Sequence, residues 1–186
     1  MRNPRDYQVD ETLRDGGFIR IRAIRPEDSQ RLLTHFKTLS PRSVHNRFFG
    51  MKRTLSEVEL AQLTDLDFIH HVGLAAILGE GGDEPFVGVG RYVVSQDDWA
   101  SGGRAEVAFA VLDEHQGRGI GTLLLKHLAR IARHNGIREF QADVLSDNRQ
   151  MLEIFAESGF PIRRTINSGV VHLSFPIANP GQSDRK

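Results

Sequence analysis

Three alternating glycines stand directly before a predicted helix, and their spacing is typical of a ligand-binding turn. Gly117, Gly119 and Gly121 precede an apolar helical pattern that has no acid, Ser or Pro to cap its start. The first N–H groups of a helix lack an intrahelical acceptor, and the aligned peptide dipoles place about half a positive charge there. An anion satisfies both, and glycine lets its oxygens approach the backbone. The pattern predicts a phosphate-binding turn; the alternative is that the glycines only allow tight strand-to-helix packing.

The spacing of these glycines excludes two common nucleotide-binding motifs. A dinucleotide-binding turn needs Gly-x-Gly-x-x-Gly, but the sixth residue counted from Gly117 is Thr122. A P-loop needs Lys and then Ser or Thr after its last glycine, whereas Gly121 is followed directly by Thr122. The phosphate ligand is therefore expected to be of another kind.

A carboxylate inside the predicted strand AEVAFAV is the candidate general base. Glu106 alternates with Ala108 and Ala110, so the three side chains share one face, where the small alanines leave room for a ligand. A general base placed near a reacting group is typically worth about 10² to 10⁴ in rate. The alternative is a structural carboxylate at the end of the strand, paired with Arg104 or Arg91.

Composition excludes several classes of function. The sequence has no Cys, which removes thiol nucleophiles, disulfides and thiolate metal sites. Lys plus Arg and Asp plus Glu number 24 each, so no global positive charge is available to hold nucleic acid. His70 and His71 are adjacent and would point to opposite sides of a strand, so we predict no metal site. No Gly-x-Ser-x-Gly motif indicates a serine hydrolase.

Length and hydropathy predict a single soluble domain. The chain has 186 residues, and no apolar run approaches the ~18 residues of a membrane span. The first residues lack the apolar centre of a secretory signal, so we expect a cytoplasmic protein with no membrane partner. Residues 1–17 are expected to form a flexible arm, residues 18–175 the folded domain, and residues 176–186 a tail.

Predicted helices dominate the first third of the chain, and predicted strands follow them. A strand is predicted over residues 18–25, and helices within residues 26–36, 40–50 and 55–63, the last with Ser56 and Glu59 as a capping box. Further strands are predicted over residues 71–78, 86–94 and 104–112, joined by hairpin-type turns. The helix after the glycines, a strand over 139–145, a helix over 148–158 and strands near 160–164 and 170–175 follow. This order predicts an α/β (α+β) fold, a mixed sheet with helices on its faces.

Several stretches resemble the GNAT superfamily of N-acetyltransferases. QGRGIG, residues 116–121, is similar to its acyl-CoA motif, Gln/Arg-x-x-Gly-x-Gly/Ala, and lies after the fourth predicted strand. IRPEDSQRL, AEVAFAVLDEHQGRGIGTLLL and DNRQMLEIFAESGF resemble consecutive GNAT segments, so the likeness covers roughly residues 18–175. LSPRSVHNRFF and AEVAF are more narrowly similar to the catalytic domain of bacterial Pat-type protein lysine acetyltransferases.

The resemblance implies a GNAT fold, with a mixed, mostly antiparallel central sheet, and acetyl-CoA as co-substrate. The coenzyme's diphosphate is expected on the amides of residues 116–122. Its pantetheine arm is expected to pair, like an extra strand, with the backbone of Phe109, Ala110 and Val111. Arg118 is a candidate for the ribose phosphate or else a solvated arginine, and Asn148 matches a family asparagine or else is an ordinary N-cap. The coenzyme-binding residues implied are Phe109, Ala110, Val111, Gln116, Gly117, Arg118, Gly119, Ile120, Gly121, Thr122 and Asn148.

The implied reaction is direct acetyl transfer from acetyl-CoA to a primary amine, with Glu106 as general base. The preferred acceptor is an exposed lysine of a partner protein; the other hypotheses are a small-molecule amine and a catalytically weak acyl-CoA-binding sensor. Many GNAT enzymes use a tyrosine of the helix before the final Gly-Phe to protonate the leaving thiolate, and here that position is Phe155. This departure keeps the sensor hypothesis open. Acyl-chain preference and oligomeric state are not predicted.

Overall fold

The structure, a computed structural model, describes residues 4–79, 84–101 and 103–177, with the backbone alone for residues 99–101. Within these ranges the chain forms an eight-stranded sheet. The strands are β1 (Gln8–Thr12), β2 (Phe18–Ala23), β3 (His71–Leu78), β4 (Phe86–Val93), β5 (Arg104–Val111), β6 (Glu139–Leu145), β7 (Arg163–Asn167) and β8 (Val170–Pro176).

The order of the strands across the sheet is β1-β2-β3-β4-β5-β6-β8-β7. All neighbouring pairs are antiparallel except β5 and β6, which are parallel. The prediction of a mixed, mostly antiparallel sheet is therefore confirmed.

Helices cover both faces of this sheet, as predicted. They are α1 (Ser29–Thr38), α2 (Pro41–Phe48), α3 (Glu57–Thr64), α4 (Gln96–Ser101), α5 (Ile120–His134) and α6 (Arg149–Ala156). The capping box of α3 forms as predicted, because Ser56 accepts from the Glu59 N–H and the Glu59 carboxylate accepts from the Ser56 N–H. In the part of the chain that the structure describes, no helix combines the length and apolarity needed to cross a membrane.

The long helix α5 lies close against one face because β4 presents glycines there. A Cβ at Gly88 would lie 3.0 Å from the Ile120 side chain, and a Cβ at Gly90 would lie 3.1 Å from Leu128. The apolar stripe predicted for this helix is buried: Ile120, Leu124, Leu128 and Ile131. On the opposite face, Leu66, which follows α3, packs against Gly73 of β3.

The N-terminal residues differ from the predicted flexible arm. Residues 8–12 form β1, which pairs with β2 along its whole length. Two apolar side chains at its ends, Tyr7 and Leu13, are buried. The Tyr7 hydroxyl lies 2.5 Å from Nδ1 of the buried His127 on α5, so this segment is tied to the core by packing and by a hydrogen bond. Residues 1–3, and the predicted tail beyond residue 177, lie outside the described residues.

The segment after β4 also differs from the prediction, which expected a hairpin turn between residues 94 and 104. The chain forms the short helix α4 there. Ser95 begins it, since its Oγ accepts from the Asp98 N–H (3.1 Å). The final hairpin was predicted with its first strand near residues 160–164, whereas β7 covers residues 163–167.

Acidification is expected to destabilise the fold through His35 of α1. The His35 ring is buried, and burial lowers its pKa from 6.5 to about 4. The unfolded chain therefore takes up a proton at a higher pH than the folded chain, and the free energy of unfolding should fall by about 3 kcal/mol between roughly pH 6.5 and pH 4. Urea unfolding at several pH values measures this slope.

His35→Gln is the control variant, because glutamine does not titrate. Its slope should be smaller but not zero, since burial and the charge of Arg91 also lower the pKa of His71 to about 4. Equal slopes in the two proteins would contradict the assignment to His35.

Candidate active site

The candidate site lies where β5 and β6 separate. The two strands pair over only three residue pairs, from Arg104↔Glu139 to Glu106↔Gln141. Beyond Glu106, β5 keeps β4 as its neighbour but has no strand on its other side within the described residues. A cleft of about 340 Å³ opens there, lined by the second half of β5, the glycine turn, the middle of β6, and parts of α2 and α6. We call it the β5/β6 cleft.

The N-terminus of α5 forms one end of the β5/β6 cleft. Gly119 is its N-cap residue, with φ of 90°, and no side chain caps the helix. The first turn also contains no acidic residue. The free N–H groups and the positive end of the helix dipole therefore face the cleft without a protein anion from this helix to neutralise them.

The three glycines of this turn have different roles. Gly117 has φ of 76°, and a Cβ there would meet nothing within 4 Å, so this part of the turn is open to a ligand. Gly119 also has positive φ, a conformation that favours glycine. At Gly121, a Cβ would lie only 2.6 Å from Cδ1 of Ile154 on α6. The packing alternative thus applies to Gly121, whereas Gly117 and Gly119 shape the turn itself.

The free edge of β5 offers backbone groups to the cleft in alternation. The Leu112 N–H donates to the Val87 carbonyl (2.9 Å), which fixes the alternation of the antiparallel ladder with β4. The backbone groups of Ala110 accordingly point to β4, and those of Phe109 and Val111 point to the cleft. The Val111 carbonyl already accepts from Nε2 of Gln116 (3.0 Å). Ala110 contributes to the cleft through its half-buried side chain instead.

Glu106 lies at the point where the two strands part, and its exposed carboxylate lines the cleft. The alternative ion pairs with Arg104 and Arg91 do not form within 4 Å among the described residues; Arg104 lies 3.4 Å from Asp98 instead. Burial lowers the pKa of the Arg47 guanidinium on α2, and the negative charge of Glu106 partly offsets this shift.

A buried arginine, Arg91, lies on the same face of the sheet as Glu106. Burial and the charge of Arg47 lower the pKa of Arg91 to about 9. Its Nη1 lies 3.4 Å from Nε2 of His71, whose own pKa is lowered to about 4 and which therefore accepts as a neutral ring. Glu106 thus lies close enough to Arg47 to affect that guanidinium, but among the described residues it forms no ion pair with Arg47 or Arg91.

Asp113 fixes α2 over this face. Its carboxylate accepts from the Ser40 N–H (3.1 Å), the Ser40 hydroxyl (2.8 Å) and the Ser43 hydroxyl (2.9 Å). Burial raises the pKa of Asp113, but these hydrogen bonds outweigh it and the net shift is downward. Since only Leu112 separates Asp113 from the end of β5, Asp113 ties the start of α2 to the strand that carries Glu106.

Of the predicted coenzyme-binding residues, Arg118 is the one that does not line the cleft. Its Nε donates to Asp15 (2.6 Å), and its Nη1 lies 3.2 Å from His115 Nδ1. Arg14, which the sequence analysis assigned to a flexible arm, lines the cleft instead. No spacing signal marked Arg14 or Arg47 as site residues.

Asn148 and Phe155 form the α6 side of the cleft. Asn148 is the N-cap of α6, and its Oδ1 accepts from the Met151 N–H (3.3 Å), so the N-cap alternative is correct and the residue also borders the cleft. Phe155 is buried, with its ring centroid 5.5 Å from that of Phe109. The position expected to hold a tyrosine hydroxyl is therefore part of an apolar wall.

Among the described residues, no three His, Cys, Asp or Glu side chains are grouped as metal ligands.

Comparison with known proteins identifies the family. The sequence profile of the acetyltransferase (GNAT) family matches residues 42–160. An acetyltransferase of Pseudomonas aeruginosa is 33% identical over 150 residues, which cover 81% of this chain and 78% of that protein. The chain belongs to the GNAT acetyltransferase family.

Within the GNAT family, the chain is similar to the catalytic domains of Pat-type enzymes, as the sequence predicts. The acetyltransferase Pat of Mycolicibacterium smegmatis is 31% identical over 147 residues, and the match covers 79% of this chain and 42% of that protein. The crystal structure of the GNAT domain of S. lividans PAT has a TM-score of 0.82 and 38% identity, covering 91% of this chain and 96% of that one. This GNAT enzyme is therefore an N-acetyltransferase that takes its acetyl group from acetyl-CoA.

Removing the Asp113 carboxylate is expected to loosen α2 from β5. In Asp113→Ala, the Ser40 N–H and two hydroxyl groups lose their acceptor, and the free energy of unfolding should fall by about 1 to 3 kcal/mol. Urea denaturation measures the change. Glu114→Ala is the matched control, because this neighbouring carboxylate is 72% exposed. A loss of the same size in both variants would contradict the anchoring role of Asp113.

Proposed function

We propose that this GNAT enzyme acetylates the ε-amine of a lysine on a partner protein, with Glu106 as general base. The observation that carries the proposal is the position of Glu106 where β5 and β6 part, at the opposite end of the open β5 edge from the uncapped start of α5. A thioester ligand lying along this edge would have its phosphates at the helix and its acyl group towards the carboxylate. Resemblance to Pat-type enzymes supports the same acceptor.

The turn before α5 is the proposed binding site for the coenzyme's diphosphate. The open space at Gly117 and the uncapped N–H groups from Gly119 to Thr122 fit an anion of that size. The pantetheine amides would then pair with the outward-facing backbone groups of Phe109 and with the Val111 N–H, in the manner of an added strand. One of these N–H groups is placed to donate to the thioester oxygen as negative charge develops on it.

Deprotonating the amine is the step for which the enzyme needs a base. A lysine amine has a pKa near 10.4, so forming the neutral nucleophile at pH 7 costs about 4 to 5 kcal/mol. Glu106 would take this proton, directly or through water, and the neutral nitrogen would attack the thioester carbon. When the tetrahedral intermediate collapses, the second nitrogen proton neutralises the leaving thiolate through water, because Phe155 has no hydroxyl to donate. The absence of Cys from the sequence agrees with direct attack.

Exposed apolar side chains on and near the β5/β6 cleft suit a protein acceptor. Phe49 lines the cleft and is 44% exposed, and Met51 follows it with 91% exposure. Val93, directly across the ladder from Glu106, is 42% exposed. Large apolar side chains that remain exposed beside a site favour a partner surface over a small polar amine.

The cytoplasmic location predicted from the sequence stays a prediction.

Glu106→Gln is expected to lower kcat by roughly 100-fold, because glutamine cannot accept the proton. The dissociation constant for acetyl-CoA should not change, since the carboxylate acts on the acceptor amine. Thiol release measures turnover, and calorimetry measures acetyl-CoA binding. Glu139→Gln, a carboxylate outside the cleft, is the control. Full turnover in Glu106→Gln would remove Glu106 from the mechanism.

Replacing an exposed apolar residue near the cleft, Met51, tests whether the acceptor is a protein or a small amine. Met51→Ser should reduce acetyl-lysine formation on lysate proteins several-fold and leave acetyl-CoA binding unchanged, because it removes only apolar surface. Ile166→Ser, at an exposed apolar residue on β7, should have no effect. Blotting for acetyl-lysine, beside thiol release with a panel of small amines, measures both classes. Efficient acetylation of a small amine without any acetyl-lysine on protein would favour the small-molecule acceptor.

A further inference from the structure

The loop between β1 and β2 brings an arginine to the mouth of the β5/β6 cleft. The loop, residues 13–17, is closed by hydrogen bonds from the Leu13 N–H to the Gly17 carbonyl (2.8 Å) and from the Gly17 N–H to Asp15 (3.0 Å). Asp15 also accepts from Arg118 (2.6 Å), which fastens the loop to the glycine turn. Arg14 is held between these anchors and lines the cleft.

The Arg14 side chain crosses directly over the anion-binding turn. A Cβ at Gly119 would lie 3.4 Å from both Cγ and Nε of Arg14, so this side chain rests on the N-cap of α5. Its Nη2 donates to Glu157 (2.8 Å), the residue that ends α6 and also lines the cleft. The ion pair therefore spans the mouth of the cleft from the glycine turn to α6.

This ion pair is suited to exchange. The side chains of Arg14 and Glu157 are 60% and 56% exposed, and exposed pairs of this kind contribute little to stability. Glu157 accepts a single hydrogen bond from the Arg14 guanidinium, whereas a phosphate could accept two charge-assisted hydrogen bonds from it in a bidentate geometry. Glu157, in contrast, would repel a phosphate placed on the turn.

We propose that Arg14 is a phosphate-binding residue of the coenzyme site, and that it exchanges Glu157 for a coenzyme phosphate when acetyl-CoA binds. The inference rests on the proposed binding of the diphosphate to the glycine turn. Arg14 would then make a phosphate contact of the kind that the sequence predicts for Arg118. The Arg118 guanidinium forms an ion pair with Asp15 instead. It also makes Glu157 a residue that opposes coenzyme binding.

The two partners of the ion pair should have opposite effects on coenzyme binding. Arg14→Gln is expected to raise the dissociation constant of coenzyme A by roughly 5- to 20-fold, and Glu157→Gln to lower it by roughly 2- to 5-fold. The dissociation constant of pantetheine, which has no phosphate, should not change in either variant. Arg138→Gln, at an exposed arginine outside the cleft, controls for the lost charge. Calorimetric titration measures all of these constants.

Dephospho-coenzyme A separates the two possible phosphate sources. If Arg14 binds the diphosphate, Arg14→Gln weakens this ligand as much as it weakens coenzyme A. If Arg14 binds the 3′-phosphate, the variant weakens coenzyme A alone. Either result supports a phosphate contact, whereas equal weakening of pantetheine would show a structural effect and overturn the proposal.

The double variant tests the exchange itself. If Glu157 acts by holding Arg14, most of the gain from Glu157→Gln disappears when Arg14 is already Gln. A gain of full size in that background would overturn the exchange. Failure of the wild-type enzyme to bind coenzyme A would contradict the proposed function, but an unchanged affinity in Arg14→Gln, beside a wild-type enzyme that binds, would overturn only the role of Arg14.

Discussion

The separation of β5 from β6 after three residue pairs is the constraint on which the site depends. Because β5 continues beyond Glu106 with a partner on one side only, the backbone of Phe109 and Val111 is left facing an open cleft. The rings of Phe109, Phe155 and Phe175 pack together behind this edge, which gives the cleft an apolar wall. The same separation places the start of α5 at one end of the edge and Glu106 at the other.

The two ends of the β5/β6 cleft differ in the groups that carry their charge. At the glycine turn, the positive charge comes from the backbone N–H groups at the start of α5 and from the Arg14 side chain, not from a cationic side chain of α5. At the other end, Arg91 is buried and Arg47 is half-buried, and among the described residues neither forms an ion pair with Glu106. The Glu106 carboxylate remains accessible because no guanidinium covers it. The proposed acyl transfer would use both ends, the positive end for the coenzyme's phosphates and the carboxylate for the amine.

The amino-acid sequence predicts the architecture because its main elements have strong periodicity. The bounds of β3 and β6, the stripe of α5 and the capping box at Ser56 agree with the structure. Residues 1–17 were misjudged because their polar composition outweighed a hairpin signal, Asp15-Gly16, between two short alternating segments. Arg14 was missed for the same reason. The contacts of Arg118 and Asp113 could not be predicted either, since each joins segments that are distant in sequence.

The most direct test of the account is whether the amides of the glycine turn bind the coenzyme's phosphates. In a titration of the ¹⁵N-labelled protein followed by NMR, coenzyme A should shift the amide signals of Gly117, Gly119 and Gly121 strongly, because a phosphate oxygen would accept from this part of the backbone. Pantetheine should shift signals along β5 but leave those of the turn nearly unchanged. Saturable binding of coenzyme A without a shift at the turn would contradict the account.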